Sequence, residues 1–100
     1  MILITRDTQV QIAIKPQDFR KQMDGLIAVV EQHLGKNPRS GALYVFINRA
    51  RTMVRILGYQ ENGYWVATKR LSKGKFSGWP NSSGAVCQLT AKRLSGIIRG

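Results

Sequence analysis

The chain is poor in the groups that build catalytic and metal centres: one cysteine, one histidine and five carboxylates in 100 residues. With Cys87 alone no internal disulfide can form, which fits a reducing cytoplasm. Cys–His catalysis would require His33 and Cys87 to meet. The simpler readings are a cation-compatible site at a helix end for His33 and a small buried apolar residue for Cys87. Zinc sites draw on several Cys and His at set spacing, and none is present. Metal-dependent phosphoryl transfer gathers several carboxylates. Four of the five here, Asp7, Asp18, Asp24 and Glu31, fall in the first 35 residues, and Asp18 and Asp24 stand too far apart to share one helix face. Neither GxxxxGK[ST] nor GxGxxG occurs. No catalytic residue, metal or cofactor is therefore expected, and binding is the expected class of activity.

Long apolar runs are missing too. Nothing approaches the roughly eighteen apolar residues of a membrane span. The opening MILIT is followed at once by Arg6 and Asp7, without the apolar core of a signal peptide. These features predict a cytoplasmic protein without a membrane partner.

What the chain has in excess is positive charge. Sixteen Lys and Arg oppose the five acids, a net charge of +11. Such an imbalance speaks about partners rather than fold, and polyanions are the expected partner. The distribution is uneven. Residues 1–35 carry four cations and four acids, whereas residues 36–75 carry nine cations against Glu61 alone, a net +8. Residues 76–100 add Lys92, Arg93 and Arg99. By charge, the start is a neutral scaffold and the middle is the basic part.

Hydrophobic spacing places the elements. Val10, Ile12 and Ile14 alternate with Gln11 and Ala13, the pattern of a half-buried strand. Pro16 suits the first turn of a helix over 17–34, in which Phe19, Met23, Leu26, Ile27, Val30 and Leu34 recur at helical spacing. Asp18 would lie near the positive end of its dipole, Arg20 and Asp24 would pair across one turn, and Gly35 would stop it. Gly25 inside the helix implies a close contact with the sheet. ALYVFIN at 42–48 is a central strand, RART at 49–52 a turn, MVRILGYQ at 53–60 a second strand, and YWVATKR at 64–70 a third. Asn62 and Gly63 mark a hairpin between the last two. Its loop length is open, and a one-residue slip swaps the faces, so Arg55 and Lys69 have no assigned face. AVCQL is a short strand or an extended arm, and Thr90 caps a last short helix. The expected fold is α+β, one domain over 1–100: a small antiparallel sheet of an N-terminal strand plus a three-stranded meander, packed against one main helix, with a short C-terminal helix.

The meander decides where the charge gathers. The 49–52 turn and the exit of the third strand lie at the same end of the sheet. Arg49, Arg51, Arg55, Lys69, Arg70, Lys73 and Lys75 are therefore the candidate nucleic-acid contacts, able to meet several phosphates. Glycines 74 and 78 let backbone N–H groups approach a phosphate. Phe76 and Trp79 are candidates for base stacking, but aromatics in such loops more often fold back on the core, and both are expected there. No recognition helix rich in Arg, Asn and Gln is present, so backbone contact rather than base readout is expected.

The blocks DFRKQMDGLIAVVEQHLG (18–35), SGALYVFINRARTMVRIL (40–57), NGYWVATKRLSKGKF (62–76) and WP (79–80) together resemble the TnpB-type accessory protein of a bacterial insertion-sequence family with a DDE transposase. The likeness spans residues 5–98. It implies a non-catalytic helper of DNA transposition in bacterial cells, nucleoid-associated or free, with DNA and the cognate transposase as partners. A protein-interaction adaptor docking on the transposase is the alternative class, and an RNA-binding module of ribosomal type the third. Two departures from the family pattern stand out: Gly58 and Tyr59 replace a frequent Trp or aromatic pair, and Ser77 with Gly78 lengthens the link from Phe76 to Trp79.

Overall fold

A run of apolar residues without alternation can be buried only where both sides are covered, and residues 43–47 occupy such a place. In the computed structural model, which describes residues 4–99, the chain forms β1 (Val10–Ala13), α1 (Met23–Gln32), β2 (Leu43–Ile47), β3 (Met53–Gln60), β4 (Gly63–Arg70), β5 (Val86–Leu89) and α2 (Ala91–Ile98). The five strands make one sheet in the order β4-β3-β2-β1-β5. β2 is its central strand, and every residue of it is buried.

This is an α+β fold, but the sheet is mixed rather than antiparallel throughout. β1 and β2 run parallel, Val10 beside Leu43 and Ile12 beside Val45. A parallel neighbour needs a crossover, and the segment containing α1 provides it. The other three pairings are antiparallel. AVCQL supplies β5, paired to β1 from Val10–Leu89 to Ala13–Val86. β1 lies between β5 and β2, and because a helix covers each face of the sheet there all four of its residues are buried rather than every second one.

Alternation along the strands builds two cores. On one face Leu26, Val29 and Val30 of α1 pack on Ala13, Tyr44, Phe46 and Leu57. On the other, Leu94 and Ile97 of α2 pack with Phe76 and Trp79 on Val10, Ile12, Val45, Ile47 and Val54. Phe76 and Trp79 are 3% and 9% exposed. Trp79 Nε1 donates to the carbonyl of Ala13 at 3.2 Å, so the 71–80 loop is pinned to the end of β1. Both aromatics belong to the core. Cys87 is half-buried at the margin of the same cluster. Thr90 caps α2 as expected, its Oγ1 accepting from Arg93 N at 3.1 Å.

α1 starts six residues later than helical spacing suggested. Residues 17–22 are instead held by the sheet and by local bonds. Gln17 N donates to Ile47 O, and Asp18 accepts the amide and guanidinium of Arg20. The carbonyls of Phe19 and Lys21, which a longer helix would have used, accept from Arg55 Nη1 at 2.9 and 3.0 Å. Arg20 accordingly pairs with Asp18, not Asp24. Gly25 makes its close approach to this turn rather than to the sheet: a Cβ there would lie 3.0 Å from Lys21 Cβ. Gly35, at φ +64°, ends the helical segment in the left-handed conformation.

The β3–β4 hairpin has a two-residue turn. Gln60 pairs with Gly63, and Glu61 and Asn62 both take positive φ, 51° and 68°, the signature of a type I′ turn. This register settles the faces. Arg55 lies opposite Phe46 and Thr68 on the α1 side, and Lys69 lies opposite Val54 on the α2 side. It also pairs Gly58 with Trp65, whose indole lies across the glycine. A Cβ on Gly58 would collide with that ring. Gly58→Ala is expected to cost about 1–3 kcal/mol, the usual range for overpacking. Urea denaturation checks this, and an unchanged midpoint would show that the indole has somewhere else to go.

Candidate nucleic-acid interface

The end of the sheet where β2 turns into β3 is organised by one side chain. Asn48 Oδ1 accepts the backbone N–H of Thr52 at 2.9 Å and of Met53 at 3.0 Å, while Nδ2 donates to Thr52 Oγ1 at 3.1 Å. Arg51 closes the turn at φ +62°, its N–H donating to Asn48 O. Together these bonds hold Arg49 and Arg51 outward on a fixed turn.

The second basic segment is stitched to the first. Leu71 N donates to Thr52 O at 2.9 Å and Phe76 N to Arg51 O at 2.7 Å. Between those two bonds the chain carries Lys73, Gly74 and Lys75, with Gly74 at φ +81°. The two loops expected at one end of the sheet are therefore joined through their backbones.

The seven candidate cations divide into two groups. Arg49, Arg51, Arg70, Lys73 and Lys75 are exposed, and none makes a side-chain hydrogen bond or ion pair among the described residues. Arg55 is half-buried and occupied. Besides the Phe19 and Lys21 carbonyls it reaches Thr68 Oγ1 at 3.2 Å, and its guanidinium sits 4.7 Å from the Phe19 ring centroid. Lys69 Nζ donates to Ile98 O at 2.6 Å, satisfying a carbonyl at the end of α2. Both add positive potential to the region while their polar atoms hold helices to the sheet.

Sequence spacing alone missed part of the surroundings. An open cleft of about 620 Å³ separates the 48–55 hairpin from the turn before α1, lined among others by Gln17, Asp18, Arg20, Asn48, Arg49 and Arg55. Arg20 reaches this basic end only because 17–22 is not helical. Its bond to Asp18, followed by the Arg20 backbone N–H, holds the Asp18 carboxyl well below the usual carboxylate range. Asp18 is also the acid of the one ion pair among the described residues, Arg20–Asp18 at 2.6 Å. Asp18 is the acid that lines this cleft, and it is already paired. At the opposite end of the hairpin, Arg39 stacks 5.3 Å from the Tyr59 ring and 5.9 Å from Tyr64. Lys92 and Arg93 project from the outer side of α2 beside Ser77 and Gly78.

Among the described residues no three His, Cys, Asp or Glu are grouped to hold a metal, and no helix is long and apolar enough to cross a membrane. The architecture is that of a small α+β protein whose distinctive chemistry is an unneutralised basic rim. Over residues 8–100 the chain matches the family model described as IS66 Orf2 like protein, and it belongs to that family. Two proteins of Sinorhizobium fredii (strain NBRC 101917 / NGR234) are similar to it. Uncharacterized protein y4jC is 31% identical over 100 residues, covering all of this chain and 85% of that protein. Uncharacterized protein y4hO is 30% identical over 95 residues, covering 95% and 82% respectively. No solved structure matches. Membership of the second-reading-frame family of an insertion sequence fits an accessory protein of transposition.

Two outcomes are expected of the site's scaffold. Asn48→Ala strands two backbone N–H groups and should cost about 1–3 kcal/mol, measured by chemical denaturation; a loss within error would mean the turn holds without its side chain. NMR titration should place the Asp18 carboxyl below the ordinary carboxylate range, and in Arg20→Met the midpoint should rise towards that range. Because the folded pKa is depressed, the associated stability is present above the unfolded carboxylate pKa of about 3.9 and fades as pH falls below it. Asp18 is solvent-exposed enough that salt should weaken the effect.

Proposed function

We propose that this chain is a non-catalytic accessory protein of DNA transposition that grips DNA by its phosphates, with Arg49, Arg51, Arg70, Lys73 and Lys75 as the contacts. The observation that supports this reading is their common state. All five are exposed, none has a protein acceptor among the described residues, and backbone bonds join the two loops that carry them. Cations that hold a fold together point at carbonyls or carboxylates, as Arg55 and Lys69 do. Cations held out on a rigid turn leave their donors for a ligand.

The chemistry is that of counterion release. Each phosphate neutralised frees condensed cations from the duplex, so affinity falls as salt rises and base sequence matters little. Arg49 and Arg51 offer bidentate forks, while Lys73 and Lys75 act as point charges around a glycine that lets the backbone come close. The aromatics contribute nothing to stacking on bases, since Phe76 and Trp79 are in the core. The expected location is the bacterial cytoplasm, on or near the nucleoid.

Titrating a labelled duplex with the protein from about 50 to about 200 mM salt tests this. Five phosphate contacts predict a log–log slope of about −4.5 and a loss of about 500-fold in affinity over that range. Arg49→Glu with Arg51→Glu should weaken every sequence alike. A flat salt curve, or no binding at low salt, overturns the reading. Equal or tighter binding to an RNA duplex of the same length would replace DNA as the partner. Co-purification with the cognate transposase after nuclease treatment, with the charge-reversed variant losing the complex, would assign the rim to that protein instead.

A further inference from the structure

β4 is the edge of the sheet, and its outer side is unusually complete. The two-residue hairpin makes Gln60–Gly63 a hydrogen-bonded pair, and bonded pairs alternate from there along the ladder. Gly63, Trp65, Ala67 and Lys69 therefore turn their backbone groups to β3. Tyr64, Val66, Thr68 and Arg70 turn theirs outward. The bond from Leu71 N to Thr52 O continues the same alternation one step beyond the strand. Among the described residues nothing else in the chain bonds the outward amides or carbonyls of those four residues. β4 is eight residues long, contains no proline, and has neither helix nor strand along its free side. A strand of that kind is a template for another strand unless something blunts it.

The side chains say which strand. Reading GYWVATKR, the aromatics Tyr64 and Trp65 fill the first half and the cations Lys69 and Arg70 the second. Parallel self-pairing would set cation beside cation. Antiparallel pairing about a two-fold axis at Ala67 does the reverse. It opposes Tyr64 of one protomer to Arg70 of its partner on the α1 side, and Trp65 to Lys69 on the α2 side. Cation–aromatic and aromatic–aliphatic neighbours across strands are favourable, whereas like charges directly opposite are not. The register also places all four outward residues opposite outward residues, so every free backbone group on the edge finds a partner. Arg39 of the same chain already lies 5.9 Å from the Tyr64 ring and bonds its hydroxyl, so Trp65 with the Lys69 stem is the stronger of the two side-chain pairs. We propose that β4 pairs antiparallel with the β4 of a second copy, making a closed two-fold dimer with a continuous ten-stranded sheet. The pairing uses backbone groups and does not depend on the DNA reading.

The balance of forces gives the dimer a recognisable signature. One strand is a small interface, so association is expected in the micromolar range, as for other small contacts. Each copy carries +11, and screening that repulsion should favour the pair. Dimerisation should therefore strengthen with salt, opposite in sign to phosphate binding. Sedimentation of the full chain without nucleic acid, from about 5 to about 200 μM and in about 0.1 and 0.5 M NaCl, should show a monomer–dimer equilibrium shifted to dimer by salt. Val66→Pro removes an outward N–H that bonds nothing within the protomer, and should leave a folded monomer by circular dichroism. As a second measure that needs no proline, Ala67→Cys in a Cys87→Ser chain should cross-link to itself on oxidation, because Ala67 faces its own copy in a non-hydrogen-bonded pair. A monomer at every concentration and salt, failure of the Ala67→Cys chain to cross-link, or assemblies that keep growing with concentration would each overturn the proposal. Loss of DNA binding alone would leave it standing.

Discussion

Asn48 terminates the central strand with a side chain that stands in for a turn of backbone, and much of the molecule's useful geometry depends on it. Its Oδ1 accepts from Thr52 and Met53, so β3 leaves antiparallel to β2 in a set register. With Thr52 and Arg51 fixed, their carbonyls become acceptors for Leu71 and Phe76, and the chain leaving β4 is drawn back across the sheet end. Phe76 and Trp79 can then enter the core on the α2 side. A single polar residue at the end of an apolar run thus links the two basic loops and closes one of the two cores. Removing backbone donors from water is costly unless each finds an acceptor, which is why so much hangs on one amide.

The same arrangement explains how a small domain tolerates so much like charge. Sixteen cations and five acids leave no means of pairing most of the charge internally. The fold instead separates the cations by role. Arg55 spends its donors on carbonyls of the turn before α1 and Lys69 on a carbonyl at the end of α2, Arg39 lies against tyrosine rings, and Arg20 takes Asp18. The rest are held at the surface, where water screens their mutual repulsion. Surface repulsion is small per pair but cumulative, so a polyanion bound across the rim would stabilise the folded state as well as being held by it.

Much of the fold was legible from residue spacing. The apolar run at 42–48, the hairpin marked by Asn62 and Gly63 and the Thr90 cap act through neighbours in the chain, and all three appear, with the open turn resolved as Glu61–Asn62. The misjudged elements are those decided by contacts distant in sequence. β1 reads as half-buried because its alternation is genuine, yet α1 covers one of its faces and α2 with Phe76 and Trp79, from the far end of the chain, covers the other. The first helix reads as beginning at residue 17 because Phe19 keeps helical spacing, yet Arg55 claims the carbonyls that such a helix needs. The parallel β1–β2 pair was hidden for the same reason, since strand direction follows from where the crossover lands. At the rim, meander topology correctly brought two loops together. It could not say that two of the seven cations would be tied to carbonyls of their own chain, because that follows from a face assignment a single residue of slip would reverse.

β4 is where these threads meet. Its final residues belong to the basic rim, and its outer edge is a ladder half made. A second strand would meet the backbone of Tyr64, Val66, Thr68 and Arg70, and the Arg70 guanidinium, lying by its face on the partner's Tyr64, would keep its N–H edge for a phosphate. The two uses are compatible in space only if the side chain points off the sheet while the backbone lies in its plane, which is what a β-strand requires. A two-fold axis through Ala67 would then set the two rims at opposite ends of one rigid sheet, because antiparallel strands carry their C-terminal ends in opposite directions. Two rims rigidly spaced can engage separate stretches of one duplex or two duplexes at once, and the second contact would be made at high effective concentration. For a protein with a small interface and modest phosphate count, doubling the rim raises avidity without any new contact chemistry.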